Sequence, residues 1–430
     1  MNISPDVSRT IESAFCNNQH PALFMRRLYK IHCADVGANS LWLIQPFLGH
    51  NLTEFSINMV DGISEDGFLA SMTVLDALRY RCPLLEQLTI LGDSWFINPE
   101  WFAALSLLVC SLQHLQRVHF CDNTDLDPQS FVHLASLHDL QSLATSICKR
   151  HVDQISSAAL FPHPFPALCD ISITFDSLLS GIDFLQTWIS RRPVRTIHIR
   201  VFVRPTAPLI RDFFEALVEH CLFASVTEID ICNSGGYPFA EDPQHSSLNP
   251  LDIKLLLVFT NLEVLKINTT ISTNELDDAL LEDIASAWPH LRVLEIHCSK
   301  HNVRHSPKVT TNGLAALSKC RALSQLGIAF DSDLPLHPFT GEPQDNLKSM
   351  TFVKSSLASP ANIFAFFSQT FPNVLLIKTF NDHEIDSDEA ERRTALWNET
   401  KQLFWTPRVD SRDDQIASEK TSPCINSDSD

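Results

Sequence analysis

One short apolar cadence recurs along this 430-residue chain: an apolar residue, two others, an apolar residue, one other, an apolar residue. It reads as Leu52-Phe55-Ile57, Leu85-Leu88-Ile90, Leu168-Ile171-Ile173, Val194-Ile197-Ile199 and Val226-Ile229-Ile231. It continues as Leu262-Leu265-Ile267, Leu291-Leu294-Ile296, Leu323-Leu326-Ile328 and Leu347-Met350-Phe352. Residues 112–120 hold a weaker version, read as carrying one inserted residue, from Leu112 or Leu115 through Val118 to Phe120; Leu140-Leu143 and Val374-Ile377 are partial copies. Apolar residues that alternate with polar ones, many of them β-branched, describe a strand buried on one side.

Between these strands the period changes. Leu276, Leu280, Ile284 and Trp288 form an i, i+4 stripe inside Thr273–Pro289, and Leu178, Ile182, Leu185 and Ile189 form another. Ile210, Phe213, Leu217 and Cys221 do the same, as do Leu314, Leu317 and Cys320. Each unit is therefore one strand plus one helix. A punctuation mark precedes several strands: Cys82-Pro83-Leu84-Leu85, Phe165-Pro166-Ala167-Leu168, Trp288-Pro289-His290-Leu291 and Phe371-Pro372-Asn373-Val374, with Cys320-Arg321-Ala322-Leu323 lacking the proline. Proline ends the helix, and the residue before it plugs the core, so Cys82 and Cys320 read as small buried hydrophobes.

A unit of this kind cannot bury its apolar face alone, and stacking is the remedy. Anchors about 24–36 residues apart lie near the ~20–29 of leucine-rich repeats. The expected fold is an α/β leucine-rich-repeat solenoid of about 11–12 irregular repeats, with a parallel sheet on the concave face and helices on the convex one. The expected boundaries are an irregular segment 1–20, the solenoid 21–380 with a degenerate first repeat from Pro21 through Leu28 to Ile31, a capping helix 381–405 and a disordered tail 406–430. In the capping helix, Asp386 and Ser387 stand at the N-cap and Leu396, Trp397 and Phe404 near one stripe. Polar insertions at 236–250 and 331–346 are candidate binding loops or tolerated surface loops.

Composition narrows the function. A net charge of −19 argues against nucleic acid and anionic membrane as partners, since both need clustered Lys and Arg. The 12 cysteines include no C-x-x-C pair, residues 1–20 lack the look of a signal peptide, and no apolar run is long enough to span a bilayer. These features predict an intracellular protein, cytoplasmic or nuclear, with free thiols. Nucleotide-binding glycine loops, G-x-S-x-G and H-E-x-x-H are missing from the sequence, so neither an enzyme nor a cofactor is expected. His297-Cys298 with His301 and His305 has spacings zinc could use, but Lys300 and Arg304 flank it and a solvated loop is the reading preferred. Cys148-Lys149-Arg150-His151 is read as a surface loop, and Asp277-Asp278 and Glu282-Asp283 as the solvated side of a helix.

Some stretches resemble the F-box/leucine-rich-repeat proteins of mushroom-forming fungi. They are Phe47-Leu48-Gly49-His50-Asn51-Leu52-Thr53-Glu54-Phe55, Arg81-Cys82-Pro83-Leu84-Leu85-Glu86-Gln87-Leu88, Leu317 to Leu323 ending in Phe330-Asp331, and Ala395-Leu396-Trp397. The resemblance implies repeats that hold a protein to be ubiquitinated, and an F-box that docks on the adaptor of a cullin–RING ligase. Residues 1–40 show no Leu-Pro-x-Glu opening, so the expected role is the partner-holding half alone, or a repeat scaffold without a ubiquitin link.

In either case the partner surface is predicted by strand geometry. Residues alternating with the anchors face outward on the concave sheet. They are Gln87 and Thr89; Asp170, Ser172 and Thr174; Thr196, His198 and Arg200; Glu228 and Asp230; Lys266 and Asn268; Glu295 and His297; Gln325; and Lys378. Such a mixed-charge strip suits protein recognition; a strip that is merely solvated is the alternative.

Overall fold

The computed structural model describes residues 27–59, 65–92, 98–157, 163–233, 247–298, 306–332, 341–353, 359–380 and 387–405, with the single positions 339, 355 and 357. The segments 1–20 and 406–430, most of 236–250, part of 331–346, and His301, Arg304 and His305 lie outside them.

Among the described residues thirteen strands form one parallel sheet whose spatial order is the order of the chain. They are β1 (Lys30–Val36), β2 (Glu54–Met59), β3 (Gln87–Gly92), β4 (Arg117–Phe120), β5 (Ser142–Ile147), β6 (Asp170–Phe175) and β7 (Thr196–Val201). The rest are β8 (Glu228–Asn233), β9 (Val264–Thr269), β10 (Val293–Cys298), β11 (Gln325–Ile328), β12 (Ser349–Val353) and β13 (Leu376–Phe380). Helices alternate with them: α1 (Glu65–Arg81), α2 (Pro99–Ser111), α3 (Pro128–Ser136), α4 (Lys149–Ser157), α5 (Leu178–Gln186) and α6 (Ala207–His220). Then come α7 (Pro250–Lys254), α8 (Asp278–Ala287), α9 (Thr311–Ala316), α10 (Pro360–Thr370) and α11 (Ser387–Trp405). The sheet is curved and unclosed, and the fold is the expected α/β solenoid. Between β11 and β12 the described residues contain no helix.

The extra repeat is the degenerate one. Leu28-x-x-Ile31-x-Cys33 is the cadence with cysteine in the last place, and Ile31 and Cys33 stand opposite Phe55 and Ile57. At β4 no residue is inserted: Val118 pairs with Leu88 and Phe120 with Ile90, with Leu115 buried ahead of them. The Leu112 that suggested an insertion is the plug of the preceding helix, fully buried with its N–H on Val109 O.

A repeated hydrogen-bond device sets the register. At each of the twelve strand junctions one carbonyl accepts two successive N–H groups of the next repeat. Thr53 O receives Glu86 and Gln87 at 2.8 and 3.0 Å, Arg195 O receives Thr227 and Glu228, and Lys348 O receives Leu375 and Leu376. The plug residue does three jobs at once. The Trp288 N–H closes the last turn of α8 on Ile284 O at 2.9 Å, its indole is buried, and its carbonyl accepts the N–H of the anchor Leu291 at 3.1 Å. Cys82 and Cys320 repeat this placement, and burial pushes each thiol up to about 11.

Two local features depart from the sequence pattern. The helix expected from Thr273 begins at Asp278, because Asp277 accepts the Leu280 N–H at 2.9 Å as N-cap. Leu276 is buried from the preceding turn. Likewise α5 stops at Gln186, and Ile189 is 72% exposed. Phe165 holds a left-handed φ of 56°, rare for a bulky residue. Its ring is buried against Phe131 and Phe184, and Arg192 fixes the loop by donating from Nη2 to Pro164 O at 3.2 Å.

At the far end α11 packs on the final repeats. The buried Trp397 stacks on Phe352 with centroids 5.0 Å apart, Phe404 meets Phe364 edge-on, and Lys401 Nζ reaches Thr379 Oγ1 at 3.0 Å.

Candidate functional site on the concave face

The in-register ladder converts residues far apart in sequence into rows running across the strands. The middle row includes Thr89, His119, Ala144, Ser172, His198, Asp230, Lys266, Glu295 and Gly327, and continues through Thr351 to Lys378. Before it runs Gln87, Arg117, Ser142, Asp170, Thr196 and Glu228, with Gln325 further along. Beyond it lie Ser146, Thr174, Arg200, Cys232, Asn268 and His297. The predicted strip therefore shares one face.

Its members differ in how engaged they are. Ser172, Gln325 and Lys378 are exposed, while Gln87, Thr89 and Thr196 are half-buried. Asp170 is held by Arg195 through two contacts, Nε at 3.1 Å and Nη2 at 2.6 Å. His198 Nε2 approaches Glu228 Oε1 at 2.9 Å without the alignment of a hydrogen bond, so this contact gains Coulomb energy when the ring is protonated.

Thr174 is 3% exposed, and the reason is a residue that the sequence reading missed. Asp122, just after β4, crosses over β5 and β6. Its Oδ1 accepts the Thr174 hydroxyl at 3.0 Å, its carboxylate pairs with Arg200, and its backbone carbonyl accepts the Ser146 hydroxyl. The segment after β4 is thus a strap across the third row, and Thr174 and Arg200 are already occupied within the chain. The sequence signal available was Cys121-Asp122-Asn123-Thr124-Asp125, a polar loop with more acceptors than its own backbone needs.

The centre of the face, on β8 to β10, is less satisfied. Asp230 is half-buried and accepts no hydrogen bond among the described residues; burial raises its carboxyl pKa, a rise that His198 and Lys266 partly offset. Lys266, its neighbour in the row, makes no ion pair among the described residues. Asn268 Oδ1 and His297 Nδ1, paired in register on β9 and β10, are both buried without a hydrogen-bond partner. Burial lowers the His297 pKa, and Glu295 opposes that shift. Glu295 lies close over Gly327: a Cβ there would meet its Cγ at 3.1 Å.

The other chemistry-bearing stretches are structural in their contacts. Cys148 stands just before α4, and residues 149–151 form its first turn rather than a loop. Asp125, Cys148 and His151 bring ligand atoms within 4.8 Å of one another. However, His151 Nε2 lies 2.7 Å from Leu126 O, its Nδ1 accepts the Cys148 N–H at 3.0 Å, and Asp125 pairs with Arg150. Both ring nitrogens are committed, which leaves no lone pair for a metal. The acidic pairs on α8 are more than a solvated side. Asp278 accepts both the N–H and the hydroxyl of Thr310 at 2.6 Å, and Asp283 pairs with Lys254 at 2.7 Å. Among the described residues, no helix is long and apolar enough to cross a membrane.

No family model matches the chain, and no curated protein matches it. Among solved structures it is similar to one described as the crystal structure of the Rad7 and Elc1 complex in yeast. The identity is 13%, the match covers 88% of this chain and 83% of that chain, and the TM-score is 0.48.

Proposed function

We propose that this chain is a recognition module that holds a protein partner on the concave face, without catalysing a reaction. The observation that carries the reading is the face itself. Thirteen parallel strands in sequence order set polar and charged residues of many repeats in common rows, and at its centre Asp230 accepts no hydrogen bond and Lys266 makes no ion pair among the described residues. Exposed mixed charge on a rigid sheet gives orientation and specificity to a protein contact. The described cysteines are free thiols, which fits a reducing, cytoplasmic or nuclear setting.

The test is site-specific photo-crosslinking in cells. A photoreactive residue at Ser172 or Gln325 on the concave face should capture a discrete partner, while one at Asp212 on α6 should not. Adducts forming at Asp212 and not at the concave positions would overturn the reading. The F-box resemblance extends the proposal: the partner would be a protein marked for ubiquitination. Recovery of a cullin adaptor with the full chain supports that extension; recovery of a partner without any adaptor leaves a stand-alone scaffold.

A further inference from the structure

We draw no further inference here: the strongest candidate, the Cys148–His151 pair at the start of α4 beside the strap that follows β4, rests on one cysteine whose neighbouring imidazole is already held by the Cys148 N–H and Leu126 O, and nothing among the described residues points to a ligand there.

Discussion

Gln344 occupies the plug position, three residues before the anchor Leu347, where repeats described above place Cys, Phe, Trp or Leu. It is fully buried in the segment where the described residues show no helix between β11 and β12. Its amide Nε2 donates to Cys320 O at 3.1 Å and to Leu323 O at 2.7 Å, and its Oε1 accepts the Leu347 N–H at 2.8 Å. One side chain thereby supplies the polar contacts of an entry turn. Replacement by leucine keeps the bulk and removes these bonds, with the longer one to Arg321 O at 3.5 Å. Each orphaned buried group costs ~1–3 kcal/mol, and part is recovered by burying a hydrocarbon side chain, so Gln344→Leu should cost about 3–6 kcal/mol. Gln344→Glu keeps the acceptor for Leu347 but turns a carboxylate toward two carbonyls. It should be worse than leucine at neutral pH and recover as the pH falls, because the protonated acid regains one donor. Repeat arrays lose two-state cooperativity, so the measurement is local: amide hydrogen exchange at Leu323 and Leu347, beside urea unfolding. A leucine variant within ~1 kcal/mol of the parent, or a glutamate variant that ignores pH, would refute the assignment of these bonds as the plug's contribution.

Two further outcomes are expected. Because the folded state raises the Asp230 pKa, that group contributes stability while protonated and loses it as pH rises above the ordinary carboxylate range. Asp230→Asn should therefore gain stability over the parent progressively from acid to neutral pH, and a gap that stays constant or reverses argues against burial as the cause. The thiols of Cys82, Cys221 and Cys320, pushed up to about 11, 12 and 11, should resist alkylation at pH 8 in the folded protein and react after unfolding. Mass spectrometry of the labelled chain finding them modified first would contradict their plug and core placement.

Much of this architecture was readable because its causes are local and repeated. Each anchor triplet needs two spacings to be seen, and the plug needs one proline or one Cys beside a leucine. β1 was faint because Cys33 stands where most other repeats place Ile or Phe, and Leu112 blurred β4 by sitting three residues before the true anchor. The rows of the concave face follow from alternation alone, so their residues could be named in advance. Their state of engagement could not. Asp122 reaches Arg200 across two intervening strands, and no spacing within the loop announces that reach. Gln344 was hidden for a different reason: a glutamine among Pro343, Asp345 and Asn346 reads as solvent-facing, and nothing in the local pattern announces the buried carbonyls of Cys320 and Leu323 that its amide meets.

The strictly sequential strand order has a consequence for how the protein is made. Every strand pairs with the one translated just before it, so a unit leaving the ribosome already finds its template in place. No strand waits for a distant partner, and the slow loop closure that burdens most parallel sheets is divided into short steps. Growth of the sheet can keep pace with synthesis. The vulnerable species along the way is a nascent edge, a new one with each repeat, until α11 arrives to pack over Phe352 and Phe364.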